Sequence, residues 1–567
     1  MNIMRSLTRF AIPALAINVI GGGGTAANAA ERPEAAPVAH WRNQKFGLMM
    51  HWGLYSVAGG VWKGKQIEGY NEQIKHRAKI SWPDYLTLEP GFTAEKWDPD
   101  TIAQLAKDAG MRYVVITSKH HDGFNLWHTR LSDFNPVDST PAKKDVLKML
   151  SDACARKKMN FGVYYSLIDW HYPGAAPMSD SNSDPITPAL ENYTLGQLRE
   201  LLTGYGPISE VWFDMSAPTP QQSKKIADLV HELQPDCMVS GRIWNGEDDF
   251  MVCGDNEVPD TWSEGAWESP VTMFHDTWGY RSWQQRDNLP GKIREKIRDL
   301  AMVTSRGGNY LLNIGPRGDG SIVEFDADVL KGIGKWMKAN GEAIYTGEPE
   351  PHLKLEFGYA TRRGGRLYLY VTAPASDEKL HVPGWIAQLP KAHVLTAGKP
   401  EPLLCKIDEG ILTIKLPADL LDPNLTIVAV DFAGKQPCIP SDAVIVNEAP
   451  VTLASSSALA WHRMSGNDYY SLHSFVTARE WVVMPRKSGL WKVIAKRSAG
   501  GAHAGFVLSA NGHEAQFILP DSANAQEQEC LSLELKAGEM ATLKLHDIGP
   551  GSELNDKGLE LELAPVK

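Results

Sequence analysis

The sequence predicts a (β/α)8-type barrel followed by antiparallel β-sandwich domains. Three observations predict it. Short, β-branched apolar runs alternate with amphipathic helical segments from about residue 45 to 345. Those runs end on titratable or polar side chains, and functional groups collect at the carboxyl ends of barrel strands. Beyond about residue 350 the pattern changes to short alternating strands broken by Pro and Gly, which suits antiparallel sheets packed face to face.

Taken in order, Phe46–Met50 (FGLMM) opens the barrel and runs into His51. Tyr113–Thr117 (YVVIT) leads into Lys119–Phe124 (KHHDGF), which carries His120 and His121. Phe161–Ser166 (FGVYYS) holds Tyr164 and Tyr165, Glu210–Asp214 (EVWFD) ends on Asp214, Cys237–Ser240 precedes Arg242, and Tyr310–Ile314 closes the set. The intervening segments Thr101–Ala109, Val146–Lys157, Leu195–Tyr205 and Gln221–Leu233 have the apolar stripe of helices lying on a sheet. Further on, Leu367–Thr372 and Leu425–Asp431 read as strands of one sandwich. Trp481–Met484, Leu490–Ala495, Gly505–Ser509 and Leu559–Leu563 read as strands of another. The expected organisation is a leader at 1–29, a barrel at 30–347, a β-sandwich at 348–435 and a second at 436–567. Trp461, Trp481 and Trp491 in the last region suit either sugar stacking, as in carbohydrate-binding modules, or core packing, which is the commoner fate of indoles. That region is expected to contribute no chemistry, and its removal to leave turnover of a small aryl substrate nearly intact.

The N-terminus reads as an export signal: Arg5 and Arg9, then the apolar run Phe10–Ile20, too short to span a bilayer, then the small-x-small site Ala27-Asn28-Ala29. No later segment reads as a membrane helix. A periplasmic or secreted protein follows. A net charge of −11 over 567 residues argues against nucleic acid or an anionic membrane as partner. Oligomerisation is left open. The six cysteines contain no C-x-x-C pair, so neither a zinc site nor a dithiol redox motif is indicated.

Six motifs stand in sequence order: HWGLYSV (51–57), KHHDGFNLW (119–127), FGVYYSLIDW (161–170), YGPISEVWFD (205–214), WGY (278–280) and SRGGNYLLNIGPRGDG (305–320). Over about residues 40–345 the chain resembles the α-L-fucosidases of glycoside hydrolase family 29. The resemblance implies retaining hydrolysis of terminal α-L-fucose from a fucosylated oligosaccharide or glycoconjugate, with neither cofactor nor metal. It makes Asp214 the nucleophile. It makes His51, His120 and His121 contacts to sugar hydroxyls, and Tyr165 and Trp212 the pocket wall. It gives Arg242 a hydroxyl contact or the orienting of the nucleophile, and sets Trp278 near the sugar's methyl group.

Retention needs a second carboxyl, acting first as acid and then as base, whose pKa is raised by a partly apolar setting. The stretch Asp248–Glu268 supplies the candidates. Glu257, in DNEVP, lies at the spacing from Asp214 that many family members show, and is the assignment expected here. Asp255 and Glu268 are its rivals, the latter in a Trp-Glu pair that many members share. Glu68-Gly69-Tyr70 stands where many members have Glu-Trp-Tyr. Glu68 is therefore expected to touch sugar, the indole is missing, and Asn71–Ile80 is the candidate replacement wall. Two other functions fit the same outline. A metal-dependent barrel hydrolase usually opens with His-x-His on one strand face, and no His-x-His occurs in the chain. A fucose-binding protein without catalysis would lack a nucleophile or acid, and Asp214 is present.

Overall fold

A computed structural model describes residues 36–566 except 180–182, 375, 435, 465–473, 499–503, 520–523, 549–553, 555, 557 and 558. The expected leader at 1–29 lies outside the described residues. Eight parallel strands form the barrel: β1 Phe46–Met50, β2 Tyr113–Lys119, β3 Asn160–Ser166, β4 Glu210–Asp214, β5 Met238–Val239, β6 Met251–Val252, β7 Trp267–Thr272 and β8 Asn309–Ile314. Each pairs with the next in chain order, β8 returns to pair with β1, and a single bridge between Ser240 and Phe250 joins β5 to β6. β1, β2 and β4 are buried at every position. This is why they read as continuous apolar runs: barrel strands face side chains on the inside and helices on the outside.

The outer layer contains α1 Pro99–Asp108, α2 Val146–Lys157, α3 Pro188–Gly204, α4 Pro220–Leu233, α5 Leu289–Ser305 and α6 Glu324–Thr346. Short polar side chains start most of them. Asp98, Asp145, Thr187, Thr219 and Asn288 each accept from a backbone amide of the first turn, satisfying a donor that the helix leaves unpaired. Thr219 and Gln222 do so reciprocally. The barrel and its antiparallel follow-on agree with the expected fold class. Two strands differ from expectation, because Asp248–Glu268 reads as loop in the sequence. β6 has too few residues to show a period, and β7 (WESPVT) carries an ionisable residue and an interior proline, both depleted in central strands.

Behind the barrel, a six-stranded and a three-stranded sheet run between Glu348 and Asp431. A second pair of sheets runs on to Pro565. One of these takes in a piece of the barrel: Trp262–Ser263, from the β6–β7 loop, pairs in parallel with Trp461 and His462. Trp481 and Trp491 are buried in the core of this last sandwich. The Trp461 indole donates to Glu480 and lies under the Lys544 ammonium. Trp481 and Trp491 are thus committed to packing, and Trp461 is half-buried. The six cysteines carry free thiols, and among the described residues no helix is long and apolar enough to cross a membrane.

Candidate active site

A pocket opens at the carboxyl ends of the barrel strands, with Asp214 on its floor and His51, His120, His121, Trp212 and Arg242 around it. The chain places them by parity. In β4, Glu210, Trp212 and Asp214 share the inward face, because side chains alternate along a strand. Register then sets Tyr164 against Trp212 and Ser166 against Asp214.

Asp214 is held from two sides. The Tyr164 hydroxyl donates to Oδ2 at 2.6 Å, and Arg242 Nη1 donates to Oδ1 at 2.9 Å. The same guanidinium donates through Nη2 to Asp255 Oδ1 at 2.5 Å, so one arginine clamps two carboxyls. It also lies 4.8 Å from the Trp212 ring centre. Directly after Asp214, Met215 and Ser216 both have positive φ, at 65° and 72°. Two consecutive left-handed, non-glycine residues are strained backbone of the kind found at functional sites.

The histidines are neutral. Burial pulls His51 down to about 3 and His121 to about 4, and holds His120 well below its ordinary range. Their tautomers follow from their partners. Asn313 donates its amide to the Trp278 carbonyl at 2.7 Å, so its oxygen faces His51 Nδ1 at 2.8 Å. His51 must therefore carry its proton on Nδ1 and offer Nε2 as an acceptor. Ser166 donates to the Ile168 carbonyl and receives His121 Nδ1 at 2.7 Å, which again leaves Nε2 as acceptor, 3.9 Å from Asp214 Oδ2. His120 packs on His121, with ring centres 3.8 Å apart. A ring of neutral acceptors suits uncharged hydroxyls.

The three candidates for the second carboxyl separate cleanly. Asp255 lines the pocket beside Asp214, and burial raises its pKa despite Arg242. Glu257 does not line the pocket. Its carboxylate folds over Gly254, where an added Cβ would stand 2.6 Å from Oε2. Glu268 is fully buried beneath the floor, bound by the Tyr113 hydroxyl at 2.5 Å and the Trp212 indole at 3.0 Å.

Two wall residues are corrected. Tyr165 faces away from the pocket into the layer between strands and helices, where its hydroxyl donates to Gln197 at 2.7 Å; its neighbour Tyr164 takes the inward position. Alternation forces that choice between adjacent tyrosines, but only the strand register says which is which. Glu68 is exposed just after a short hairpin and does not line the pocket. Gly69, at φ +82°, turns the chain there, so that Tyr70, Glu72 and Gln73 enter the pocket instead. Glu72 was missed in the sequence. Its Oε2 accepts from the backbone amides of Trp278 and Gly279 at 3.0 and 2.9 Å, and burial lifts it to about 7. It sits in the stretch 71–80 marked as a replacement wall, which is the only signal the sequence held. Trp278 lines the pocket. Lys119 and Asp122 of the KHHDGF run serve the scaffold: Lys119 pairs with Asp169 at 3.2 Å in full burial, and Asp122 accepts from Tyr85 at 2.7 Å.

Below the floor, Glu210 and Glu268 face each other, both fully buried. Burial, and for Glu210 also the neighbouring carboxyl, pushes Glu268 up to about 7 and Glu210 well above the carboxylate range. The folded state thus prefers these acids protonated. A raised pKa contributes stability that is full below the unfolded value of 4.5 and is lost as pH climbs through about 7. Replacing Glu210 with Gln removes one of the two charges. The Glu210→Gln variant is expected to gain a few degrees in Tm over wild type at pH 8, roughly 2–4 °C, and little at pH 4.5. Thermal scans across that range check it; a pH-independent difference contradicts it.

A larger cavity, about 520 Å³, opens at the opposite end of the barrel between Trp41, Tyr113, Phe161 and Tyr205. Its lining is mainly apolar and holds no histidine–arginine–carboxyl cluster like that around Asp214, so chemistry rather than volume picks out the site. A family model described as alpha-L-fucosidase matches residues 25–342. An alpha-L-fucosidase of Branchiostoma floridae is 32% identical over 342 residues, covering 55% of this chain and 73% of that protein. An alpha-L-fucosidase from Bacteroides thetaiotaomicron, solved as a trapped covalent intermediate with 2-fluoro-fucosyl fluoride, is 25% identical at a TM-score of 0.63, over 73% of this chain and 99% of that one. An alpha-L-fucosidase from Vibrio sp. strain EJY3 shares the fold over 93% of this chain and 98% of its own, at TM-score 0.64 and 24% identity. With its pocket at the carboxyl end of a closed barrel and its motifs matched over more than half its length, this chain belongs to the α-L-fucosidase family of glycoside hydrolases.

Proposed function

We propose that the protein releases terminal α-L-fucose from fucosylated glycans with net retention, through a fucosyl-enzyme on Asp214 and with Asp255 as acid/base. The observation that carries this is one guanidinium, Arg242, clamping Asp214 and Asp255 in a pocket lined by neutral histidines. Retention needs two carboxyls close together, and a shared guanidinium keeps these two acids near each other in one pocket. Tyr164 and Arg242 hold the Asp214 carboxylate in one orientation, and positioning of that kind lowers a bimolecular barrier. Asp255, buried and raised, has the setting of a carboxyl that gives up its proton to a leaving oxygen and later takes one from water. His51 and His121 offer lone pairs to hydroxyls of the sugar. Glu257, five residues after β6, stays as the second reading, since a loop side chain can swing toward a bound glycan. The N-terminal basic, apolar and small-residue run supports export to the periplasm or beyond the cell.

Proton NMR during hydrolysis of an aryl α-L-fucoside tests the reading. The α-anomer of fucose is expected to form first, at a rate untouched by exhaustive chelation. First appearance of the β-anomer, or loss of activity restored by one divalent ion, contradicts it.

A further inference from the structure

The loop from Cys253 to Ala266, between β6 and β7, carries both Asp255 and Glu257. Its two halves are held by different domains. The outgoing half is tied to the barrel. Cys253 donates its amide to the Glu268 carbonyl at 2.9 Å, the Asn256 side chain accepts from the Thr272 amide at 2.7 Å, and Ser269 donates to the Glu257 carbonyl at 2.5 Å. The returning half is tied to the last β-sandwich. Trp262 and Ser263 form an edge strand on Trp461 and His462, and the Glu264 amide donates to the His462 carbonyl at 3.0 Å. The Glu264 carboxylate then takes the Lys544 ammonium at 2.6 Å on one oxygen and the Thr477 hydroxyl at 2.7 Å on the other. Both carboxylate oxygens of a barrel residue are therefore satisfied by a domain whose described residues do not line the pocket.

We propose that the last β-sandwich sets the height of the acid/base loop over the pocket, with Glu264 as the positioning residue that Lys544 and Thr477 grip. This rests on the reading that the loop holds the acid/base. The physical case is the loop's length. Between Val258 and Gly265 the barrel's hold is light, with the Arg306 guanidinium donating to the Asp260 carbonyl at 3.5 Å and lying over the Trp262 ring, and a lightly held loop samples many positions. A proton donor needs hydrogen-bond reach of the leaving oxygen, and misplacement on the ångström scale costs rate steeply. The sandwich adds the stronger restraint by strand pairing, whose register is fixed, and by a charge-assisted pair in a half-buried cleft. It also refines the expectation that the C-terminal region is dispensable. Aryl fucosides with good leaving groups need little proton donation and should tolerate its loosening; glycans should not.

The test uses the full chain. Lys544→Met, Thr477→Val and the double variant are compared with wild type on an activated aryl fucoside and on a fucosylated disaccharide. The double variant is expected to lose roughly three- to tenfold in kcat on the disaccharide, with little change on the aryl substrate. The alkaline limb of its disaccharide pH profile is expected to move to lower pH, as a loosened acid meets water. Lys544→Arg is expected to restore wild-type behaviour. Each single variant removes one contact and should show a smaller shift of the same kind, which keeps the test decisive if the double variant is insoluble. Variants that fold and keep both the wild-type substrate ratio and pH profile overturn the proposal. Asp255→Ala and Glu257→Ala, assayed alongside, separate the two claims. If neither harms the disaccharide selectively, the acid/base reading fails; if one does while the Lys544 and Thr477 variants do not, only the positioning role fails.

Discussion

Asp214→Ala should lose several orders of magnitude in kcat on every fucoside, activated or not. The side chain removed is the one that forms the covalent bond, and no leaving group, however good, substitutes for a nucleophile. Each tenfold loss corresponds to about 1.4 kcal/mol of transition-state stabilisation. The fold should survive, since the change only shortens a side chain at the pocket floor, and Arg242 keeps its bond to Asp255. Azide, small enough for the vacated space, should restore turnover and yield a fucosyl azide of inverted configuration. Near-native activity in a well-folded variant contradicts the assignment.

Asp255→Ala should behave differently, and the difference identifies its role. A general acid contributes about 10²–10⁴-fold where the leaving group needs protonation, and far less where it does not. Loss should therefore be heavy on glycans and light on aryl fucosides. Azide should rescue it with retained configuration, because it then attacks the fucosyl-enzyme from the face that water uses. Asp255→Ala also frees one end of Arg242, so Asp255→Asn, which keeps a hydrogen-bonding oxygen there, is the control: it should share the glycan defect. Glu257→Ala should change either activity by less than tenfold. Should Glu257→Ala show the selective loss and retained azide product while Asp255→Ala does not, the two residues exchange roles, and the loop must swing on binding substrate.

Much of the site was legible because barrel chemistry concentrates at strand ends. Asp214 closes EVWFD, and the two histidines follow YVVITS. Those positions need only the strand's end, not its register. Tyr164 and Tyr165 show where legibility stops. Strands buried on both faces have no apolar–polar alternation, so nothing in FGVYYS says which tyrosine faces Trp212. Pairing with β4 decides it. Glu257 and Asp255 show a related limit. Spacing along a chain does not fix how a loop folds, and here Arg242 draws Asp255 inward while Glu257 folds back over Gly254. Glu72 was hidden by a turn at Gly69 that no periodicity reports. The strand Trp262–Ser263, two residues long and completed only by a partner some 200 positions away, leaves no local signal at all.

Mapping a trapped intermediate tests the central claim most directly. The enzyme is incubated with a 2-fluoro-fucosyl fluoride, digested, and the labelled peptide sequenced by mass spectrometry. The account predicts one fluorofucosyl group per chain, on Asp214, with loss of activity that reverses slowly as water releases the sugar. A label on Asp255, Glu257 or any other residue, or stoichiometric inactivation without covalent label, would contradict it.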